Sequence, residues 1–278
     1  MEPANTTATP EARPFLRWAG GKRWLVPQLS QVLGNLTFNA YHEPFLGGGS
    51  AFLGLSRGCR SFLSDLNTEL IETYIQIRDN PLGVARHLKR HKNIEEYYYY
   101  LRAAKPRLPV TRAARFIFLN HTSYNGIFRV NLRGDYNVPF GRRAPQIPTE
   151  CDLLAVSERL QKADIYAADF AECLENVCSG DLVFLDPPYT VSHNLNGFVK
   201  YNQKLFSWKD QTRLSEVVDE IKRKGAFYIL TNAAHPSIDK LFDKGDTRIV
   251  TSRKNAIGGR SASRGIATEY VFTNMSKP

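Results

Sequence analysis

The chain is poor in the features that mark secreted, membrane-spanning and metal-dependent proteins. Its four cysteines, Cys59, Cys151, Cys173 and Cys178, form no Cys-x-x-Cys pair and have no histidine at zinc-ligand spacing. Free thiols in a reducing compartment fit best, and the cytoplasm is the expected location. The first fourteen residues carry Glu2, Glu11 and three prolines but no apolar segment, so no secretory signal is expected. Residues 1–12 read as a polar, disordered leader. No run approaches the roughly eighteen apolar residues of a membrane helix. Neither a metal-ligand cluster nor a repeat of solenoid period is present, so no metal is expected.

What is there describes a globular protein with an excess of cations. Hydrophobic residues make up 42% of the 278 residues, ample for a core, and the mean hydropathy is −0.35. Lys and Arg number 37 against 27 acidic residues, a formal net charge of +10. Such an excess suits a polyanion, because each phosphate neutralised releases condensed counterions. Charge kept for solubility is the alternative reading.

Hydrophobic patterning predicts an α/β protein with an insert. Trp24, Leu25, Leu29, Val32 and Leu33 fall at helical spacing after Gly20-Gly21-Lys22. Asn39 to Glu43 reads as a strand, Gly47-Gly48-Gly49 as a turn, Ala51 to Leu55 as the start of a helix, and Ser61 to Ser64 as a second strand ending at Asp65. This is the order of a nucleotide-binding βαβ half. Leu66 to Ala104 turns helical, with most of the Tyr97 to Tyr100 run expected in packing, and Thr111 to Leu119 is another helix. Tyr124 to Gly141 alternates like a β-hairpin, with basic residues at Arg129, Arg133, Arg142 and Arg143. The strand rhythm returns at Ile165 to Ala168 and Asp181 to Leu185, both read as buried on two faces. Three more strands are predicted at Phe227 to Thr231, Arg248 to Thr251 and Thr268 to Phe272. A capping box at Ser207 and Asp210 should open the helix before the first of them, and Gly225 should close it. The division is thus a leader (1–12), a first catalytic part (13–67), a helical and hairpin insert (68–150) and a second catalytic part (151–278).

Two constellations carry chemistry. Glycines at 47 to 49 remove side chains where a ligand approaches the backbone, and Asp65, about twenty residues on, can bind ribose hydroxyls. A purely structural turn would look the same, and a dinucleotide oxidoreductase would use similar geometry, though with Gly-x-Gly-x-x-Gly spacing. The strand Asp181 to Leu185 then delivers Asp186-Pro187-Pro188-Tyr189 at its carboxyl end, the edge where open α/β sheets bind ligands. An exocyclic amino group on an aromatic ring is a poor nucleophile because its lone pair is delocalised. The Asp186 carboxylate and the Pro187 carbonyl can accept its two hydrogens, drawing the nitrogen towards a tetrahedral shape. Fixed proline φ angles hold that carbonyl rigid, and Tyr189 offers a ring on which an extruded base can stack. A strand end capped by Asp186, with Tyr189 packed inside, is the plainer alternative.

At these residues the chain resembles the DNA adenine methyltransferases of the GATC-methylating type, which use S-adenosylmethionine. The resemblance runs from about Arg13 to Asn274. Its matching strings are Phe15 to Lys22 (FLRWAGGK), Glu43 to Ser50 (EPFLGGGS), Ser64 to Asn67 (SDLN), Tyr124 to Arg129 (YNGIFR), Asn137 to Gly141 (NVPFG) and the tetrapeptide. It implies a Rossmann-like methyltransferase with a mostly parallel seven-stranded sheet, and makes the insert a target-recognition domain. It further implies that Trp18, Lys22, Asp65 and Asp186 contact the cofactor, with Phe45 and Gly47 in the same pocket and Asp169-Phe170 at its adenine. An aromatic face at Trp18 can attract a sulfonium.

For DNA, the resemblance implies that Arg129 reads a guanine through O6 and N7. Tyr124 and Asn125 would intercalate and meet the orphaned partner base, with Ile127 and Pro139 touching bases. Ile127 stands where the family more often has leucine, and an apolar contact with a thymine methyl survives that change. Arg17 stands where GATC enzymes usually carry lysine; arginine also reads guanine, in a different geometry. The loop with Arg253, Lys254, Gly258-Gly259, Arg260 and Arg264 is expected to touch DNA backbone or cover the cofactor, or else to be a solvated loop.

The expected activity is site-specific adenine methylation in duplex DNA, within GATC, by base flipping and direct in-line transfer, with S-adenosylmethionine and no metal. Double-stranded DNA is the expected partner, no membrane is involved, and a restriction endonuclease sharing the site without contact is a compatible one. Methylation of RNA, cytosine or a protein amide is the nearest alternative, although enzymes of that kind often carry Ser or Asn before the Pro-Pro pair. A non-catalytic DNA-binding protein and a nicotinamide oxidoreductase fit less well, given intact Asp65 and Asp186 and the glycine spacing.

Overall fold

The computed structural model describes residues 11–131, 133–142, 144–190, 206–254 and 266–275. The expected leader, apart from its last two residues, therefore lies outside the described residues, as do Arg143, Gly258, Gly259, Arg260 and Arg264.

The elements are α1 (Val26–Leu33), β1 (Ala40–Glu43), α2 (Ser50–Leu55), β2 (Arg60–Asp65), α3 (Thr68–Asp79), α4 (Pro81–Leu88), α5 (Glu95–Ala103), α6 (Pro109–Thr122), α7 (Glu150–Leu160), β3 (Ala163–Ala167), β4 (Leu182–Leu185), α8 (Trp208–Arg223), β5 (Phe227–Ala233), α9 (Pro236–Phe242), β6 (Thr247–Lys254) and β7 (Ile266–Thr273). The seven strands form one sheet in the order β3-β2-β1-β4-β5-β7-β6. The β1–β2, β1–β4 and β4–β5 pairs are parallel, while β7 runs antiparallel to both β5 and β6. An α/β sheet is what the sequence pattern predicts, and a mostly parallel one is what the family resemblance implies.

Two compact units divide the chain, Met1–Val26 with Leu46–Gly58 and Asp65–Ala167 in one, and Pro27–Phe45 with Cys59–Ser64 and Ala168–Pro278 in the other. In the first, α3 packs against α6 and α7, and α4 packs against the same two helices. The starts of α3 and α4 are set by side-chain caps. Asn67 accepts from the Leu70 amide at 3.1 Å, and Asn80 accepts from Gly83 at 3.1 Å ahead of Pro81. In the second unit, Leu214, Val217, Val218 and Ile221 form the apolar stripe of α8 and share a core with Val183, Leu185, Tyr228, Leu230 and Phe272. The predicted capping box is present: Ser207 Oγ accepts from the Asp210 amide, and Asp210 Oδ2 accepts from the Ser207 amide. Gly225 ends the helix with φ +74°.

Three expectations are corrected. The strand expected over Ile165 to Ala168 is β3, and it alternates between buried and exposed positions instead of being buried on both faces. It ends the sheet order, so it lacks the two-sided cover that β4 receives. Of Tyr97 to Tyr100 only Tyr98 is fully buried and Tyr97 partly so, while Tyr99 and Tyr100 are exposed. Tyr124 to Gly141 doubles back as a hairpin does, but isolated bridges at Ser123–Phe140 and Val130–Tyr136 hold it in place of a ladder. A 3-10 turn at Tyr124–Gly126, with left-handed Asn125 and Gly126, curls one limb, and Pro139 has no amide hydrogen to give from the other.

Burial holds His42, His91 and His121 below the ordinary histidine pKa of 6.5, His91 at about 4. A folded pKa below the unfolded one favours the neutral ring in the native state. That stability is present above pH 6.5 and drains as pH falls towards the folded values. The urea midpoint should accordingly fall between about pH 7 and about pH 5; a flat midpoint over that window would contradict the assignment.

Candidate active site and nucleic-acid interface

After β1 the chain enters Pro44-Phe45-Leu46 and then the three glycines. Gly47 has φ +46° and Gly49 φ +66°, conformations that favour glycine. Space demands it too. A Cβ on Gly47 would stand 2.8 Å from Cδ1 and Nε1 of Trp18, and one on Gly49 2.6 Å from the Tyr74 hydroxyl. Tyr74 donates to the Gly47 carbonyl at 3.1 Å. Asp65, at the end of β2, accepts from the Gly47 amide through Oδ2 and from the Asn67 amide through Oδ1, both at 3.0 Å. Burial pushes its carboxyl above the usual range, and these amide hydrogen bonds pull the other way. Trp18, Gly47 and Asp65 are thus brought together in the first unit.

Trp18 stacks on Phe128, with ring centroids 5.6 Å apart and planes inclined by 22°. Lys22 is only 3% exposed and its Nζ donates to the Gly20 carbonyl at 3.0 Å, so it is no solvated surface lysine.

In the second unit, β4 is buried along its whole length and ends at the tetrapeptide. Asp186 Oδ1 accepts from Thr231 Oγ1 at 2.6 Å, and Thr231 is a buried residue of β5. Pro187 is buried. The Tyr189 hydroxyl donates to Glu269 Oε2 at 2.7 Å. Burial, reinforced by the Asp186 and Glu269 charges, pushes that phenol well above its ordinary pKa, so it stays a neutral donor. Phe45 stacks on Phe170 with centroids 5.3 Å apart. Asp169 caps the 3-10 turn Phe170–Glu175, accepting from the Ala171 amide at 3.0 Å. Its carboxylate also meets Arg213 at 2.7 Å, and that guanidinium lies 4.8 Å over the Phe170 ring.

The residues expected at DNA gather in the first unit. The Arg17 amide donates to Asn120 Oδ1 at 2.8 Å, and Asn120 Nδ2 returns a bond to the Arg17 carbonyl at 2.8 Å. Asn120 thereby ties Arg17 to the end of α6, where the 124–141 segment begins. The Arg17 side chain lies so close to Gly126 that a Cβ there would stand 2.7 Å from its Nε. Tyr124 is 53% exposed, and its amide donates to the Pro139 carbonyl at 2.9 Å. Asn125, Arg129 and Pro139 are exposed, and Ile127 is half-buried. Arg129 Nε donates to Asn137 Oδ1 at 2.8 Å.

Several contributors escape a reading of the sequence. Thr231 and Glu269 hold the tetrapeptide from strands far along the chain, and only the strand pairing reveals them. Asn120 and Asn137 are polar residues whose partners depend on tertiary structure.

A mostly parallel sheet with a glycine turn after its first strand and an acid ending its second is that of a Rossmann-like methyltransferase. Residues 18–257 match the family of D12 class N6 adenine-specific DNA methyltransferases, and the chain belongs to that family. A type II methyltransferase of Lactococcus lactis subsp. cremoris is 35% identical over 274 residues, covering 94% of this chain and 95% of that protein. A type II methyltransferase of Methanocaldococcus jannaschii is 32% identical, covering 80% of this chain and 85% of that protein. The DNA adenine methylase of Escherichia coli K12 is 34% identical over 227 residues, covering 79% of this chain and 80% of the other. The protein is therefore an adenine-specific DNA methyltransferase, which implies S-adenosylmethionine as methyl donor and DNA as substrate. Among the described residues no group of His, Cys, Asp and Glu could hold a metal, and no helix is long and apolar enough to cross a membrane.

Gly47→Ala forces a methyl onto the Trp18 ring at a positive φ. Methyl transfer should fall more than about tenfold, with a loss of roughly 1–3 kcal/mol in stability. Unchanged turnover and Tm in Gly47→Ala would show that neither constraint matters.

Proposed function

We propose that the protein transfers the methyl group of S-adenosylmethionine to the exocyclic amino group of adenine in duplex DNA, within GATC, after flipping the base. The observation that carries this reading is the Asp186 carboxylate, held by Thr231 at the carboxyl end of β4 and followed by the buried residue Pro187. Asp186 and the Pro187 carbonyl accept the two amino hydrogens, and the lone pair turns towards the methyl group for in-line attack; the nitrogen–methyl bond forms as the sulfur–methyl bond breaks, the neutral thioether leaves, and the methylated nitrogen sheds one proton. Tyr189 stacks on the extruded base, at a flipping cost of a few kcal/mol.

The residues present fit the cofactor. When bound, S-adenosylmethionine supplies the activated methyl group. The Gly47 to Gly49 turn has no room for side chains, and Asp65, already bonded to two backbone amides, offers its remaining acceptor capacity to ribose hydroxyls. In this reading Trp18 presents a face to the sulfonium, and Lys22, Phe45, Asp169, Phe170 and Asp186 are the further cofactor contacts.

In this reading residues 68–150 form the target-recognition domain between catalytic parts 13–67 and 151–278. Arg129 and Arg17 read guanines, Tyr124 and Asn125 fill the stack left by the flipped base, and Ile127 and Pro139 touch bases. A cytoplasmic location follows from the free thiols and the DNA substrate. A restriction endonuclease blocked by the same methylation would be the biological counterpart, without direct contact.

Incubation with radiolabelled S-adenosylmethionine and unmethylated duplex should label adenine at N6. Asp186→Ala should lower turnover at least about a thousandfold while DNA binding stays within about threefold, since the loss falls on the chemical step. Labelled cytosine, or activity surviving in Asp186→Ala, would overturn the catalytic assignment.

Plasmid from expressing cells should resist endonucleases blocked by adenine methylation at GATC. Arg129→Ala should erode the preference for the cognate site by about 1–3 kcal/mol. Full cutting of that plasmid would remove the GATC assignment and leave the chemistry standing.

A further inference from the structure

Glu269 is a carboxylate buried to 2% exposure in β7, among Tyr270, Val271 and Phe272. A carboxylate at that depth is costly unless charge and hydrogen bonds answer it. One answer is Arg253 of β6, whose Nε lies 3.5 Å from Oε1. The other is the Tyr189 hydroxyl, which donates to Oε2 at 2.7 Å. A bond to an ionised acceptor at that length is of the stronger, charge-assisted kind. Strand register explains how one residue reaches the tetrapeptide. Glu269 pairs with Ala233 of β5, and Thr231, two residues earlier on that strand, holds Asp186. The antiparallel β5–β7 pair therefore grips both ends of the tetrapeptide, its acid through Thr231 and its aromatic ring through Glu269.

We propose that Glu269 is a positioning residue for methyl transfer, fixing the Tyr189 ring in the plane on which the extruded adenine stacks. This rests on the stacking role given to Tyr189. Without the bond, the phenol end of the ring loses its charge-assisted anchor and can swing about χ1, and the base loses a defined platform opposite Asp186. Misplacing a reacting group by about 1 Å costs on the order of a hundredfold in rate, so a partly mobile ring lowers kcat in preference to cofactor binding.

The test is a double-mutant cycle in the full-length enzyme with Tyr189→Phe, Glu269→Leu, the double variant and, as rescue, Glu269→Gln. Substrate is a duplex for kinetics and the same duplex with 2-aminopurine at the target for fluorescence. Tyr189→Phe and Glu269→Leu should each lower kcat roughly tenfold, leave KM for S-adenosylmethionine within about twofold, and raise 2-aminopurine emission as stacking loosens. The double variant should lose no more than the worse single one, and Glu269→Gln, which still accepts from the phenol, should stay within about threefold of wild type. Multiplicative losses, a Glu269→Gln defect as deep as that of Glu269→Leu, or Tyr189→Phe with wild-type kcat and emission would each overturn the assignment. Should Glu269→Leu fail to fold, Tyr189→Phe and Glu269→Gln decide by the same criteria. A Tyr189→Ala variant separates the two levels. Full activity in it removes the stacking role beneath the proposal, whereas an inactive Tyr189→Ala together with multiplicative losses removes only the role of Glu269.

Discussion

Asp181 sits just before β4 and answers three donors at once: the Ala40 amide at 3.1 Å, the Cys178 amide at 2.9 Å, and His42 Nε2 at 2.9 Å. Ala40 and His42 belong to β1, so this buried carboxylate fixes how far β4 slides against β1, with Tyr41 opposite Leu182 and His42 opposite Val183. In a parallel pair a slip of one residue turns every side chain to the other face. Everything delivered at the carboxyl ends of the two strands depends on that register. Glu43 ends one strand and Asp186 follows the other. Burial of His42 against the Phe62 ring, 4.7 Å between centroids, holds it near neutrality, so the contact with Asp181 is a hydrogen bond to an anion more than an ion pair.

At that edge the second unit repeats one solution. Glu43 accepts from the Tyr41 hydroxyl at 2.7 Å, Asp186 from Thr231 at 2.6 Å, and Glu269 from Tyr189 at 2.7 Å. Each acid accepts from a neutral hydroxyl, and Glu269 also meets the Arg253 guanidinium at 3.5 Å. A neutral donor such as Thr231 orients the Asp186 carboxylate without cancelling its charge. In the proposed reaction, a cationic methyl donor and a nitrogen that gains positive character as it is methylated would both be favoured by that charge. Because the donors are already in place, no reorganisation is required at the moment of transfer. Burial, reinforced by the neighbouring acids, raises the phenol pKa values of Tyr41 and Tyr189.

Local physics explains what could be read from sequence. The strands that became β1, β2, β4 and β5, the Ser207 capping box and the Gly225 stop all rest on interactions within a few residues, and pattern exposes those. The glycine turn and the tetrapeptide were legible because each breaks a local rule, with three glycines where a helix starts and two prolines where a strand ends. Long-range matters were not. The one-sided burial of β3 depends on its place in the sheet, and the weak bridging of 124–141 depends on Asn125 taking φ +57°. Thr231 and Glu269 carry no local signature either. An acid in an alternating strand reads as solvent-facing, and only the pairing of β5 with β7 turns Glu269 inward.

The recognition segment gains something from its irregularity. Arg129 gives Nε to the Asn137 side chain at 2.8 Å and Nη2 to the Asn137 carbonyl at 3.4 Å, while the Asn137 amide donates to the Arg129 carbonyl at 3.1 Å. Nε and Nη2 share the side edge of the guanidinium. The end-on edge, formed by Nη1 and Nη2, is therefore the one directed away from Asn137, and it has the two-pronged shape that matches guanine O6 and N7. Holding an arginine by its side edge removes rotamer freedom before DNA arrives, so less entropy is lost on binding. A continuous β-ladder would commit the Asn137 backbone to pairing along a regular strand and alternate the neighbouring side chains across two faces. The open bridges at Ser123–Phe140 and Val130–Tyr136 instead let Asn137 meet Arg129 with its amide, its carbonyl and its side chain together.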